Sequence, residues 1–378
     1  MNIAFYAPLK PPISPVPSGD RLIARMLMLA LEGGGHQVFL ASRFRSFDAS
    51  GDARRQQRLE QVGGQLAARL LRRFHEGRER RPDLWFTYHL YHKAPDWIGP
   101  HIARALKIPY VVAEASFAPK QKGGRWARGH ESVARTLGAA DLVIALNRSD
   151  MPCLRSRLAG SERLIQLKPF LDCAPWRKAA EQHSQYRKEL DAAHEITPGA
   201  TLLLSVAMMR EGGKLCSYRL LARALEKLGT SPWHLLIAGD GPKANEVLSL
   251  FAPFQGRFTW LGECDTTQLA RLYGACDIFV WPAIREAIGM SFLEAQAAGV
   301  PVVGSDGGGV PDVVANGKSG LLAVYGDEDD FVIRLGALLD DPPKRKMMGE
   351  YAAGYALREH DLGVASRRLC AVLEELVS

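Results

Sequence analysis

Short apolar runs alternate with longer amphipathic stretches along the chain, which predicts parallel sheets covered by helices. In the first half the runs lie at residues 3–7, 37–42, 84–88, 109–113 and 141–145. In the second half they lie at 201–207, 233–238, 258–261, 278–281 and 300–305. Helical spacing predicts helices at 20–31, 54–81, 95–106, 215–228, 243–250, 266–274, 289–298 and 328–340. The pattern is typical of an α/β fold with two doubly wound, Rossmann-like domains facing each other across a cleft.

Charge divides the chain at about the same place as the pattern. Residues 1–172 carry a net charge of +12 and residues 173–378 carry −5, against +7 for the whole chain. The polar stretch 173–198 is interpreted as containing a linker. We therefore predict an N-terminal domain at 1–172 and a C-terminal domain at 173–360, with a final helix at 361–378 packing back onto the first domain. The basic half indicates an anionic partner or simple solubility.

The cellular location is predicted from what the sequence lacks. No apolar run reaches the ~18 residues that a membrane span requires. The N-terminus has no basic segment before its apolar stretch and soon meets several prolines, unlike a signal peptide. The six cysteines form no C-x-x-C pair, which favours a reducing, cytoplasmic location.

The strongest candidate site is the segment from Glu286 to Glu294, which follows a predicted buried strand. Gly289 permits a sharp turn, and the next helix is predicted to begin at Met290 or Ser291. A free helix N-terminus attracts phosphate. Carboxylates on either side of such an anion site accept hydrogen bonds from sugar hydroxyls. The alternative is one capping and one surface glutamate.

Two further strand-end loops carry polar or glycine-rich chemistry. Arg210 and Lys214 lie four residues apart after a buried strand, so both cations are able to reach one diphosphate. They are equally compatible with two solvated loop charges. Gly239 and Gly241 follow the next strand and permit close approach of a nucleotide, although many tight turns have the same pattern.

Other segments carry weaker signals. The glycine-rich turn at 304–311 is able to line the same cleft, and Gly19 lets a backbone amide approach an anion from the first domain. Ser18 or Asp20 is predicted to cap the helix that follows. The sequence contains no metal-binding motif, and His89 and His92 are interpreted as core or hydrogen-bonded residues.

Together these segments resemble family 4 of the retaining glycosyltransferases, which have the GT-B fold. The resemblance is tightest over residues 201–322. It is carried by Glu286-x7-Glu294 and by the segments 272–277, 292–303 and 317–322. In the first half it is looser and rests on the Gly19 loop, the strand entry at 35–38 and Ala140-Asp141.

The resemblance implies a retaining glycosyltransferase. Such an enzyme moves a sugar from a nucleotide-diphosphate sugar to a glycan or lipid-linked acceptor, in polysaccharide or glycoconjugate synthesis. Glu294 would bind the ribose hydroxyls, and Glu286 would face the sugar near its C3 or C4 hydroxyl. Arg210 and Lys214 would hold the diphosphate. The assisting backbone amides would be those of Gly19, Gly289, Met290 and Ser291. The family needs no bound metal and no cofactor other than the donor itself.

Three positions depart from the family pattern. Ala207 stands where glycine is usual, and the spacing from Arg210 to Lys214 is one residue shorter than usual. The family often has a histidine at the end of the fourth strand, where this chain has Glu114. We expect Glu114 to face the sugar and the acceptor, with His89 and His130 as alternatives for the histidine.

The acceptor is expected to bind the basic first half. Residues 54–81 are rich in arginine, and interspersed apolar residues predict an amphipathic helix. That helix either lies on an anionic inner membrane leaflet or packs on its own domain. Alternative functions are a nucleotide-sugar epimerase or another GT-B enzyme. A nucleic-acid-binding protein is not expected, because basic motifs interleaved with aromatic residues are missing.

Overall fold

The computed structural model describes residues 1–15, 18–158, 160, 163–228 and 231–377. Over these residues the chain divides into two compact units. The first comprises 1–168 together with 362–378, and the second comprises 169–361. The boundary between the two units lies a few residues before the expected boundary at 172, because Leu171 is already part of the second hydrophobic core.

The described strands and helices alternate in each unit. The strands are β1 Asn2–Tyr6, β2 Gln37–Ser42, β3 Leu84–Leu90, β4 Tyr110–Ala115, β5 Leu142–Ala145, β6 Leu164–Gln166, β7 Thr201–Val206, β8 Trp233–Ala238, β9 Phe258–Gly262, β10 Ile278–Val280, β11 Val302–Asp306 and β12 Gly320–Val324. The helices are α1 Gly19–Gly33, α2 Ala53–His75, α3 Gly99–Leu106, α4 Ala127–Ala139, α5 Met151–Arg155, α6 Ala174–Ala180, α7 His183–Ala193, α8 Gly213–Glu226, α9 Ala244–Phe251, α10 Thr266–Ala275, α11 Met290–Ala297, α12 Val310–Val313, α13 Glu328–Leu339, α14 Pro342–Glu359 and α15 Leu362–Val377. Short 3₁₀ turns cover Pro119–Gln121 and Ala252–Phe254.

Each unit is built on a parallel sheet of six strands within the described residues. The first sheet has the order β2-β1-β3-β4-β5-β6 and the second β12-β11-β10-β7-β8-β9. In both, the order reverses beside the first strand of the unit, and loops at such a reversal are the usual ligand sites of α/β sheets. The prediction of two Rossmann-like α/β domains is therefore confirmed.

Several predicted elements differ from the observed ones. The stretch 173–198, interpreted as containing a linker, forms α6 and α7, which pack on the second core. The packing is close, because a Cβ on Gly274 of α10 would lie 2.7 Å from the carbonyl oxygen of Ala179. The helix predicted to run to residue 81 ends at His75, since Gly77 takes a left-handed conformation with φ 66°. Short strands β6 and β12 and helix α14 were not predicted.

The arginine-rich helix α2 uses its apolar side within its own unit. Ala67, Leu70 and Phe74 are buried in the first hydrophobic core. The arginines that remain exposed are Arg54, Arg55, Arg58, Arg69 and Arg72. The sequence left open whether the apolar side of this helix contacts a membrane or its own domain. Packing on the domain accounts for that apolar side. Among the described helices, none combines the length and apolarity needed to cross a bilayer.

Candidate functional site

The candidate site of the second unit lies where β7, β8 and β10 end. These strands are neighbours in the sheet, in the order β10-β7-β8, so their carboxyl ends meet at one edge. Three loops leave that edge, and each carries part of the chemistry predicted from the sequence. The loop after β7 and the first turn of α8 carry the two cations, the loop after β8 carries the two glycines, and the loop after β10 carries the first glutamate.

Lys214 is held at the start of α8 by close backbone packing. Gly212 precedes the helix with φ 89°, and a Cβ on Gly213 would lie 2.2 Å from the carbonyl oxygen of Ile284. Only a residue without a side chain permits this approach, which brings the first turn of α8 against the loop after β10. Arg210 lies in the preceding loop with an exposed side chain. Lys214, in contrast, is directed toward the Glu286 loop.

Gly239 and Gly241 place the loop after β8 directly against the loop after β7. Both have positive φ, 148° and 153°. A Cβ on Gly239 would lie 1.9 Å from the carbonyl oxygen of Ala207, and one on Gly241 would lie 2.4 Å from that of Met209. These glycines therefore serve the contact between two loops, so backbone packing accounts for both without a ligand.

Glu286 forms an ion pair with Lys214. Nζ of Lys214 donates to Oε2 of Glu286 over 2.5 Å, and the two side chains are 22% and 17% exposed. The ammonium also lies 5.4 Å from the centre of the Trp281 ring, where a cation is favoured. The pair is thus partly withdrawn from water, and it joins residues that are 72 positions apart in sequence.

The loop that carries Glu286 has a strained backbone held by its neighbours. Ala283 and Arg285 have φ of 58° and 56°, which is uncommon for residues with a Cβ. The N–H of Arg285 donates to the Tyr325 hydroxyl at 3.1 Å. The carbonyl of Glu286 accepts from the N–H of Gly309 at 3.0 Å. The glycine-rich turn after β11 therefore supports this loop instead of forming a separate site.

Helix α11 begins at Met290, as predicted. Gly289 precedes it with φ 84°, and no side chain caps this end. The amides of Met290 and Ser291 therefore lie at an uncapped helix N-terminus, a position that favours anions. The glycine requirement here is conformational, because the positive φ strains any residue with a Cβ.

Glu294 lies one turn inside α11 and is partly buried. The Tyr273 hydroxyl donates to its Oε2 at 3.1 Å. Burial raises the pKa of the Glu294 carboxyl to about 7, and the hydrogen bond from Tyr273 opposes that rise. A carboxyl with a pKa near neutrality is sensitive to any hydroxyl or charge that binds beside it.

The first unit contains the remaining predicted residues. Gly19 opens α1, and a Cβ there would meet no atom within 4 Å, so the fold of this unit does not require glycine. Ser18 is the cap of α1, and its Oγ accepts from the N–H of Arg21 at 3.2 Å. Asp20 is thereby left for another contact, an ion pair of 3.1 Å with Nδ1 of His89.

Glu114 and the two alternative histidines occupy different surroundings. Oε2 of Glu114 lies 3.9 Å from Nδ1 of His89, so these two share one cluster. His130 packs on Phe117 with ring centres 4.7 Å apart, and burial lowers its pKa. His89 is therefore the histidine beside Glu114, and His130 is a core residue.

Of the predicted site residues, the structure brings Lys214 and Glu286 into direct contact, and it adds partners that the sequence did not indicate. Lys214 and Glu286 are in contact, and the two glycine motifs support their loops. Tyr273, Tyr325 and Asp20 were missed as partners. Tyr273 lies within residues 272–277, one of the segments that carry the family resemblance, so the sequence did contain a signal for it. Tyr325 carries no such signal. Among the described residues, no group of three or more His, Cys, Asp or Glu side chains is arranged to hold a metal ion.

Comparison with known sequences identifies the second half of the chain. Residues 187–355 match the family model described as Glycosyl transferases group 1. The sulfoquinovosyl transferase SQD2 of Arabidopsis thaliana is 33% identical over 156 residues, which are 40% of this chain and 30% of that protein. A D-inositol 3-phosphate glycosyltransferase of Stackebrandtia nassauensis is 41% identical over 271 residues, 62% of this chain and 60% of that protein. The chain thus spans less than two thirds of the length of these curated relatives.

Comparison with solved structures covers both units. The crystal structure of HepE from Anabaena in complex with UDP has a TM-score of 0.75 and 17% sequence identity. The similarity covers 99% of this chain and 100% of that one, which establishes the fold. The chain has the GT-B fold of two Rossmann-like domains, and its residues 187–355 are a glycosyl transferases group 1 domain.

Proposed function

We propose that the chain is a retaining glycosyltransferase that uses a nucleotide-diphosphate sugar as donor and a glycan or lipid-linked acceptor. The observation that carries this proposal is the ion pair between Lys214, in the first turn of α8, and Glu286, in the loop that precedes the uncapped N-terminus of α11. In this arrangement a cation and helix amides are available to bind phosphate. Carboxylates beside them are available to accept hydrogen bonds from sugar hydroxyls. It lies in the part of the chain that matches the family.

Each group is proposed to contact one part of the donor. Lys214 and Arg210 would hold the diphosphate, together with the amides of Met290 and Ser291. Glu286 would accept a hydrogen bond from a sugar hydroxyl, and Glu294 from the ribose. Because Lys214 already pairs with Glu286, entry of the diphosphate would draw the ammonium away. The carboxylate of Glu286 would then be free for the sugar.

The proposed reaction proceeds with retention at the anomeric carbon. The bond from that carbon to the diphosphate oxygen breaks, and the acceptor oxygen bonds to the same face. The acceptor proton passes to the departing diphosphate oxygen. Positive charge from Lys214, Arg210 and the α11 N-terminus would stabilise the charge that develops on the leaving group. No side-chain nucleophile is required.

A pair of lysine variants tests the site. Lys214→Ala removes the cation from the Glu286 loop, and we expect turnover to fall at least ~100-fold, as for loss of one preorganised charge. Lys227→Ala is the matched control, because this lysine follows the same helix and pairs with Glu328 at 2.8 Å. Its turnover should stay near that of the wild type. Equal turnover of both variants would contradict the assignment, provided that both have the melting temperature of the wild type.

The nucleotide is identified by a thermal-shift screen of UDP, GDP and ADP. A ligand at 100 times its dissociation constant stabilises the folded chain by ~2.7 kcal/mol, a readily measured shift. The cognate nucleotide should stabilise the wild type and should stabilise Glu294→Gln less, because the ribose contact is weakened. The same assay with nucleotide sugars would then narrow the donor.

The alternative enzyme is a nucleotide-sugar epimerase. Transfer releases free nucleotide only when an acceptor is present, whereas an epimerase returns an intact nucleotide sugar. Quantifying the nucleotide with and without an acceptor extract therefore separates the two. A DNA gel shift at low and high salt tests the nucleic-acid alternative, for which binding should be lost as salt rises.

We further propose a peripheral location at the inner face of a membrane, through the exposed arginines of α2. Since the apolar side of α2 is packed within the unit, attachment would be electrostatic, about 1 kcal/mol per basic residue near an anionic surface. Vesicles with anionic lipid should bind the protein at low salt and release it at high salt. Replacing Arg54, Arg58 and Arg69 by Gln should abolish binding. Replacing Arg219, Arg271 and Arg334 of the second unit should not.

A further inference from the structure

Ser217 is a fully buried residue of α8, three positions after Lys214. Its Oγ accepts a hydrogen bond from the N–H of Ile284 at 2.8 Å and donates one to the carbonyl oxygen of Gly213 at 2.9 Å. The bond to Gly213 is local to the helix, whereas Ile284 is 67 positions away in sequence and lies in the loop after β10. One hydroxyl group therefore joins the start of α8 to the loop that carries Glu286.

The backbone on either side of Ile284 is strained. Ala283 precedes it and Arg285 follows it, and both have left-handed conformations, with φ of 58° and 56°. A residue with a Cβ adopts this conformation at a cost, and it persists where neighbouring elements hold it in place. The conformation of the loop therefore depends on contacts that come from outside it.

Two consecutive amides of this loop are held by hydroxyl groups from two different elements. The N–H of Ile284 donates to Ser217 on α8. The N–H of Arg285 donates to the hydroxyl of Tyr325, which follows β12. In the sheet, β10 has β7 and α8 on one side and β11 and β12 on the other, so the two supports reach the loop from opposite sides. The loop is thereby fixed relative to both elements.

Backbone contact at Gly213 adds to the support from Ser217. A Cβ on Gly213 would lie 2.2 Å from the carbonyl oxygen of Ile284. The first turn of α8 thus meets Ile284 twice, at its carbonyl through Gly213 and at its N–H through Ser217. Lys214 follows Gly213 directly on the helix. Glu286 lies two residues beyond Ile284, so the same contact relates the two members of the ion pair.

The hydrogen bond from Ser217 to the carbonyl four residues earlier is a common local arrangement in helices, and by itself it indicates no role outside α8. The long-range bond is different, because it occupies a backbone donor of another element. An alanine at this position would leave the partly buried Ile284 N–H without that acceptor. An unpaired donor away from water is costly, so the loop would shift to recover a partner.

We propose that Ser217 is a positioning residue, which sets the place of Glu286 relative to Lys214 through the amide of Ile284. Because Ser217 is fully buried, it acts through the loop and not on the donor. The inference rests on the proposed function, since it gives the geometry of the Lys214–Glu286 pair a role in turnover.

Hydrogen exchange of residues 284–286, measured by mass spectrometry on the full-length protein without substrate, tests the support itself. Ser217→Ala removes the acceptor, and exchange of this segment should become roughly tenfold faster. Ser217→Cys keeps the volume but offers a weak acceptor, so it should act like alanine and separates the lost bond from a lost atom. Ser249→Ala is the control, because that hydroxyl donates within its own helix, to the carbonyl oxygen of Glu246 at 2.7 Å. Unchanged exchange in both Ser217 variants overturns the proposal.

Kinetics separate positioning from a loss of stability. Both Ser217 variants should lower kcat about fivefold, while the dissociation constant of the nucleotide changes less, and Ser249→Ala should change neither. Faster exchange combined with wild-type kcat would refute the positioning role and keep the transferase. Faster exchange in a chain that turns over no nucleotide sugar would refute the proposed function and keep Ser217 as the support of this loop.

Discussion

Glu294 illustrates how burial changes the chemistry of one side chain. Its carboxyl lies inside α11 with Tyr273 as a neighbour, and its pKa rises to about 7. An ionised carboxylate would accept hydrogen bonds from two ribose hydroxyls, whereas the protonated form has one oxygen occupied by its own proton. At the residue scale, the stability of the fold is therefore linked to the Glu294 proton, and the proposed nucleotide binding would depend on the same proton.

We predict that the free energy of unfolding falls as the pH rises from 4.5 to 7. In this window the unfolded chain has released the Glu294 proton, whereas the folded chain retains it. Retaining the proton costs the folded chain on the order of 3 kcal/mol of its free energy of unfolding by pH 7. Glu294→Gln should reduce this pH dependence in denaturant titrations, and the part that remains includes Asp96 and Glu114, whose pKa values burial also raises. Glu226→Gln, at an exposed position of α8, should leave it intact. The same pH dependence in the wild type and in Glu294→Gln would contradict the prediction.

Tyr325 is predicted to position the Glu286 loop without touching substrate. Tyr325→Phe removes the acceptor for the Arg285 N–H and keeps the ring, so the strained loop loses about 1 kcal/mol of support. We expect kcat to fall about fivefold. Nucleotide affinity should fall less than kcat, because Glu286 itself is proposed to contact the sugar and the diphosphate is proposed to be held by several other groups. Tyr351→Phe on α14 is the control. A change in nucleotide affinity with unchanged kcat would show that the loop is not involved.

At the scale of elements, the site depends on loops that contact one another through backbone atoms. The glycine turn after β11 lies so close to the Glu286 loop that a Cβ on Gly308 would be 1.9 Å from the carbonyl oxygen of Glu286. Gly213, Gly239 and Gly241 make comparable approaches at the other loops. Side chains are thus excluded where the loops meet, and the polar groups are carried on the parts that remain free.

A pair of glycine variants separates conformational strain from this contact. Gly308→Ala and Gly326→Ala both place a Cβ on a left-handed residue, with φ of 59° and 79°. Gly326→Ala should therefore lose about 1–2 kcal/mol of stability. Gly308→Ala should lose more, because its Cβ would also meet the carbonyl oxygen of Glu286. A Cβ at Gly326 meets no atom within 4 Å, so turnover should survive there. Gly308→Ala should lose turnover as well, by displacing Glu286. Comparable turnover in the two variants would refute a role for the contact.

At the scale of the whole molecule, the end of the chain belongs to the first unit. Helix α15 packs along α1, where Oγ of Ser366 donates to the carbonyl of Ala30 at 2.6 Å. Leu369 and Leu373 are fully buried, and Gly34 leaves room for the side chain of Cys370. Folding of the first unit therefore requires residues that are separated from it by the entire second unit.

We predict that Leu369→Ala destabilises the first unit selectively, by about 2–5 kcal/mol, because a buried leucine leaves a cavity. Hydrogen exchange should increase in α1 and remain unchanged in β7 and β8. Leu357→Ala, at a 39% exposed position of α14, is the control and should have little effect. Increased exchange throughout both units would indicate that they unfold together.

Much of the architecture is contained in local sequence patterns. Alternation of apolar runs and helical spacing predicts the parallel sheets, because each run must be buried on both faces. The start of α11 follows from Gly289. The helix end between two glutamates is predicted as a phosphate site from local chemistry, and its role in donor binding stays a prediction. The predictions failed for elements whose local sequence signals are weak. The polar helices α6 and α7 were interpreted as containing a linker. Strand β6 was missed because only one of its three residues is buried, whereas all three residues of the predicted strand β10 are.

What only the tertiary structure decided are the contacts between residues distant in sequence. Three such contacts each join separate elements of the fold: Lys214 with Glu286, Arg285 with Tyr325, and Asp20 with His89 and Glu114. Periodicity determines which face a side chain occupies, but not which strands become neighbours or where two strands kink together. Those depend on strand order and on long-range packing, so the sequence alone determined the kinds of groups at each loop, and the folded chain determined their partners.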